Sequence, residues 1–215
     1  MRTRLTSSLV LASRSPRRAW LLREAGFGFS QVDPDYADPA DPNTNGNLSG
    51  GPEALAMRVA EAKLASIPAE AMPEGTVVLT ADTLGVAADG GLIGTPESEE
   101  AALAILRRLV GGDHTIVTGV ALGRVGGDAE FEAWADTAEV RLGTISEQTL
   151  REYVATGAWR GKAGGYNLAE RRAAGWPIEV DGDPGTVMGL PMRRLTPRLE
   201  AWGVIRHGVA PVEQL

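Results

Sequence analysis

Leu9, Val10, Leu11 and Ala12 form an unbroken apolar run of strand length. Ser13 to Ser15 reads as a turn. Ser15 then suits a helix N-cap, with Pro16 at the first helical position, where a missing N–H costs nothing. Trp20, Leu21 and Ala25 supply that helix's apolar side, and Gly26 ends it. Gly28 to Val32 looks like a second strand. Asp33 to Gly51, with Pro34, Pro39, Pro42 and several Asn and Gly, reads as a long loop. Pro52 to Ile67 is helical, with Leu55, Val59 and Ala62 on one face. Thr76 to Ala81 is the strongest strand and runs straight into Asp82-Thr83. Leu84 to Ala87 and Leu92 to Ile93, split by Asp89-Gly90-Gly91, form a hairpin pattern.

Thr95 and Pro96 open the next helix, whose stripe is Ala102, Ile105, Leu106 and Leu109 and whose end is Gly111-Gly112. Thr115 to Gly123 and Glu130 to Leu142 read as long strands joined around Gly126-Gly127. Ser146 caps a helix containing Leu150, Tyr153 and Val154, which stops at Gly157. Asp181-Gly182 suits a turn, and Leu195, Leu199 and Trp202 mark a last helix. The N-terminal arm before Leu9 and the tail after His207 are expected to be loose.

Five places in this pattern carry chemistry. The turn after the first strand delivers Ser13, Arg17 and Arg18 to a helix N-terminus, which already favours an anion. Arginines there suit phosphate, although the same residues also fit a plain capped helix with solvated charges. On this reading Arg18 clamps phosphate, and its loss would spare folding because Ser15 and Pro16 remain. Asp82 follows a strand, where α/β proteins bind ligands; it could orient a water or metal, act as general base, or simply form an Asx turn. Gly161-Lys162-Ala163-Gly164-Gly165-Tyr166 lets backbone approach a ligand closely, with one lysine, but no P-loop pattern occurs. Lys63 borders the buried face of its helix and either snorkels or reaches into a cleft. Asp33, Asp35, Asp38 and Asp41 offer hard oxygens for a divalent cation or are simply solvated.

Composition narrows the partners. The net charge of -7 over 215 residues argues against a general nucleic-acid binder, while leaving room for a local basic pocket. With no cysteine, disulfides, thiolate metal sites and cysteine nucleophiles are excluded, and the cytoplasm fits. No apolar run approaches the roughly 18–20 residues of a membrane helix. His114 and His207 are the only histidines; they lack metal-ligand spacing and are read as non-catalytic.

Four stretches in one order carry a resemblance: Leu11-Ala12-Ser13-Arg14-Ser15-Pro16-Arg17-Arg18, Ala81-Asp82-Thr83, Lys162-Ala163-Gly164-Gly165-Tyr166 and Val187-Met188-Gly189-Leu190-Pro191. The sequence resembles the Maf family of nucleoside triphosphate pyrophosphatases over roughly Leu9 to Gly203, as one domain covering 1–215. The resemblance implies an α/β fold: an elongated mixed sheet with flanking helices and two lobes around a central cleft, inosine triphosphatase-like. It also implies a homodimer, a divalent cation (Mg2+ or Mn2+), and cleavage between the α- and β-phosphates of a nucleoside triphosphate.

Carried over by position, Ser13, Arg17 and Arg18 match the family's phosphate-binding turn. Lys63 matches a cleft lysine, and Lys162 the lysine of the glycine-rich loop. Asp82 matches the general base and a metal ligand, with Thr83 following it in the motif. Asp38 falls where the family has a metal-binding glutamate. The loop Arg160 to Tyr166 lacks the acidic residue the family usually has just before the lysine, and two further positions depart: Thr95-Pro96 stands where the family has Lys-Pro, and Ala169 where it has glutamine. These departures leave base preference open and give a rival reading, a nucleotide-binding regulatory homologue without turnover.

Overall fold

In β1 (Leu9–Ala12) all four side chains are buried, the mark of a strand covered on both faces. The computed structural model describes residues 8–36, 50–68, 70, 72–126 and 130–207. Residues 1–7 of the expected arm, the tail after His207, and Asp38 and Asp41 lie outside the described residues. β1 pairs in parallel with β2 (Ser30–Val32) on one side and β3 (Val77–Ala87) on the other. β5 (Gly112–Arg124), β6 (Phe131–Leu142) and β7 (Ile178–Asp181) continue the sheet in the order β2-β1-β3-β5-β6-β7. β4 (Leu92–Ile93) and β7 pair antiparallel with β3 and β6, so the seven-stranded sheet is mixed, as expected.

By internal packing the chain divides into two compact units. The first holds the chain up to Asp82, Thr118–Asp136 and the chain from Gly189; the second holds Thr83–Val117 and Thr137–Met188. In the first, Val10, Ala12 and Val78 form a buried cluster, with Leu64, Ile67 and Val125 packed against it. α1 (Pro16–Glu24) and α7 (Met192–Ala201) belong to the same unit. In the second, Leu106, Leu109, Leu142, Leu150, Trp159 and Tyr166 centre a larger cluster. α3 (Glu99–Leu109), α4 (Glu147–Ala155), α5 (Leu168–Ala173) and α6 (Pro184–Met188) belong to it.

Several expectations need correction. α3 starts at Glu99 rather than at Thr95-Pro96, because Ser98 caps it by accepting from Ala101 N at 3.1 Å and two glutamates fill the first turn. In α1 the buried residues are Ala19, Leu21 and Leu22, while Trp20 is 42% exposed. β3 runs on through Asp82 to Ala87, whereas the sequence pattern breaks it there. β7, α5 and α6 have no counterpart in the pattern analysis. They are short, at four to six residues, and too brief to establish a period.

α2 (Gly51–Ala65) buries Leu55, Ala56, Val59 and Ala60, so its inner face is turned toward its alanines relative to the expected stripe. A close approach explains this. A Cβ at Gly119 of β5 would lie 2.2 Å from the carbonyl carbon of Ala56 and 2.3 Å from its oxygen. The helix backbone rests directly on the sheet, and only small residues allow it. Thr80 of β3 then donates from Oγ1 to the Ala60 carbonyl at 2.7 Å. Gly119→Ala should therefore destabilise the protein by about 3 kcal/mol or more, the upper end of overpacking costs, because backbone cannot swing aside. Gly94→Ala, with open space around the new methyl, should stay within about 0.5 kcal/mol. Denaturant unfolding of the two variants checks the contrast.

Candidate functional site

The end of β1 is pinned from three sides. Ser13 N donates to the Val32 carbonyl at 3.0 Å, and Gln31 Nε2 donates to the Ser13 carbonyl at 2.6 Å. Ser13 Oγ, 4% exposed, accepts from Ser15 N at 3.2 Å and from Arg18 Nη1 at 3.1 Å. Ser15 caps α1 by accepting from Arg18 N at 3.4 Å, with Pro16 in the first turn, as the sequence implies. Arg17 follows, half-buried, on the same turn.

Arg18 is braced within the protein by two hydrogen bonds. Its Nε donates to the Gly189 carbonyl at 3.1 Å while Nη1 holds Ser13. One guanidinium thus ties the first motif, around Ser13, to the fourth, Val187–Pro191. A planar fork of donors can bridge two acceptors in this way, where a lysine could not hold the same geometry.

Asp82 lies inside β3, not beyond its end. The parallel register pairs Leu9 with Val77 and Leu11 with Leu79. Carried on, it sets Ser13 level with Ala81, one residue before Asp82. Asp82 thus lies close to the level of the carboxyl end of the neighbouring strand β1. Asp82 Oδ1 accepts from Lys63 Nζ at 2.7 Å, and both side chains are largely buried, at 13% and 11% exposure. Lys63 stands in the last turn of α2, where the helix dipole favours a cation. Its Nζ also lies 5.5 Å from the centre of the Tyr36 ring. Sequence reasoning passed over Tyr36; its signal was being the only aromatic residue in the acidic loop.

Of the acidic loop, Asp33 pairs with Arg14 at 3.3 Å on open surface, at 59% and 74% exposure, which carries little energy. Asp38 cannot be located, since it lies outside the described residues. Among the described residues no group of three or more His, Cys, Asp or Glu could hold a metal ion. The structure thus brings Ser13, Arg18, Lys63 and Asp82 into one unit, with Arg17 beside them in the chain.

Thr83 and Lys162 belong to the second unit. Thr83 is the next residue of β3, half-buried. Lys162 precedes a short 3-10 turn, Ala163–Gly165, in which Gly164 and Gly165 take positive φ of 74° and 72°. Tyr153 Oη donates to the Gly165 carbonyl at 2.9 Å and fixes this turn. Lys162 Nζ donates to Glu170 Oε2 at 2.7 Å. Thr95 sits in the link between β4 and α3.

His114, only 2% exposed, faces the Tyr166 hydroxyl at 2.8 Å from Nε2, and the imidazole tautomer decides which of them donates. Its Nδ1 is buried without a partner among the described residues. Burial pushes its pKa down to about 4, with Asp113 pulling weakly the other way. Burial likewise pushes the Tyr166 phenol up, and Tyr153 up to about 12, so both stay neutral. His207 is exposed and donates from its backbone N to the Gly26 carbonyl.

The sequence comparisons identify the family. Residues 8–202 match the family described as Maf-like protein. A Salinibacter ruber protein named dTTP/UTP pyrophosphatase is 37% identical over 197 residues, 92% of each chain. A Symbiobacterium thermophilum protein of the same name is 38% identical over 196 residues, 91% of this chain and 94% of its own. One from Hyphomonas neptunium is 34% identical over 201 residues, covering 94% and 98%.

Two outcomes follow from this geometry. Arg18→Ala should cost about 1.5–3 kcal/mol of stability, the scale of a hydrogen bond to a charged group, measured by chemical denaturation. His114 is held neutral in the folded state, so the unfolded chain binds the extra proton between its ordinary pKa of 6.5 and about 4. Stability from this group is whole above that window and falls as pH drops through it, at up to about 1.4 kcal/mol per pH unit. Unfolding midpoints at pH 7, 5.5 and 4.5 should fall less in His114→Gln than in the parent protein.

Proposed function

Because the chain belongs to the Maf family, we propose that it is a nucleoside triphosphate pyrophosphatase, releasing a nucleoside monophosphate and pyrophosphate. The observation that carries this is the Lys63–Asp82 pair set level with the Ser13 turn. A buried carboxylate with its own counter-cation adjoins a helix N-terminus suited to phosphate.

In this reading Arg17, Arg18 and Lys63 neutralise triphosphate charge and Ser13 fixes the turn, while Lys162 is, by the family resemblance, a phosphate-binding lysine of the second unit. Arg18 contributes charge from a position already braced by Ser13 and Gly189. Lys63 orients Asp82 until substrate phosphates share the ammonium. Asp82 accepts a hydrogen bond from the attacking water and takes its proton as the oxygen bonds to the α-phosphorus. The bond from that phosphorus to the bridging oxygen breaks, and pyrophosphate leaves. Such catalysis is mostly positioning and charge stabilisation.

Asp82 offers a hard oxygen of the kind Mg2+ and Mn2+ take, and Mg2+ is commonly held by one or two carboxylates plus substrate phosphates. Asp82, with Asp38 of the acidic loop, would hold such a cation. When bound it would draw charge from the phosphates and polarise the α-phosphorus.

The named relatives are dTTP/UTP pyrophosphatases, so dTTP and UTP head the panel to be assayed for pyrophosphate with each cation. Binding without turnover across canonical and modified triphosphates would instead select the regulatory reading. Asp82→Asn keeps the side chain's volume and should lower the single-turnover rate about 10²–10⁴-fold, the usual loss when a general base is removed. Nucleotide affinity measured without divalent cation should hold or rise, since one negative charge beside the triphosphate is gone. Near-normal turnover in this variant would make Asp82 a structural partner of Lys63 alone.

A further inference from the structure

Lys162 is a cation with its counter-charge built in. Its backbone is fixed: N donates to the Trp159 carbonyl at 3.2 Å, and its own carbonyl accepts from Gly165 N at 2.9 Å. Its side chain is only 14% exposed and ends 2.7 Å from Glu170 Oε2, whereas the Glu170 side chain is 46% exposed. The lysine is therefore the enclosed partner and the carboxylate the solvent-facing one, and only the latter can leave cheaply. Glu170 is presented by α5, whose N-cap Asn167 accepts from Glu170 N at 3.1 Å. Ala169, beside it in the first turn, has no polar side-chain atom to offer Lys162 or a ligand.

We propose that Glu170 is an internal counter-anion for Lys162 that competes with the substrate's phosphates and so sets the affinity of the site. This rests on the reading of Lys162 as a phosphate-binding lysine. A half-exposed ion pair is weak, so a triphosphate with about four negative charges displaces the carboxylate readily. The carboxylate nonetheless raises the ligand concentration at which displacement occurs. The pair also spares the free protein an enclosed, uncompensated ammonium.

The test is a cycle of Glu170→Gln, Lys162→Met and the double variant. Gln suits the third position of a capped helix as well as Glu does, so α5 should survive; unchanged melting temperatures check this. Two readouts are taken: KM for UTP, and the dissociation constant of α,β-methylene-UTP by calorimetry, which needs no turnover. Glu170→Gln should tighten both about 2–5-fold, the range open to a weak exposed ion pair, and this gain should vanish in the Lys162→Met background. Weaker or unchanged binding in Glu170→Gln, while Lys162→Met still weakens it, would overturn the competition but leave the phosphate role of Lys162 standing. Lys162→Met without effect on either readout would remove that role and the proposal with it.

Discussion

The approach of α2 to the sheet is the constraint on which the site depends. With no room for a Cβ at Gly119, the backbone at Ala56 rests on β5, and Ala60 receives the hydroxyl of Thr80 on β3. One turn further along the helix, Lys63 is then close enough to meet Asp82 at 2.7 Å. A helix held off by larger side chains would leave Asp82 largely buried without its cation, a costly state. The small residues of α2 and β5 thus serve charge compensation several residues away as much as core packing. Such close packing leaves little slack, so geometry at the site is inherited from the core.

A second brace acts along the chain. Arg18 joins the turn after β1 to Gly189, more than 170 residues later, through two hydrogen bonds of one guanidinium. The turn of the first motif and Gly189 of the fourth are therefore parts of one local structure. The guanidinium fork makes this possible because it offers donors in more than one direction.

Much of this was legible in the sequence. Ser15-Pro16 predicted the start of α1, the Val77–Leu79 run the central strand, and the α-helical period placed Lys63 beside a buried face. The misses have physical causes. The continuation of β3 past Asp82 depends on pairing with β4 and β5, and nothing in the local polar pattern reveals it. Ser98 outcompeted Thr95 as a cap because acidic residues follow it directly. Close approach turned the inner face of α2 toward its alanines, which a hydrophobic stripe under-weights. Tyr36 and Gly189 matter through long-range contacts to Lys63 and Arg18, and Glu170 through a contact to Lys162 eight residues away, none of which periodicity encodes.

The account stands on water attacking the α-phosphorus beside Asp82. Hydrolysis of dTTP or UTP in water enriched in oxygen-18, followed by mass analysis of both products, reads this directly. The account predicts one heavy oxygen in the nucleoside monophosphate and none in the pyrophosphate. Label in the pyrophosphate, or release of labelled orthophosphate with a nucleoside diphosphate, would contradict it.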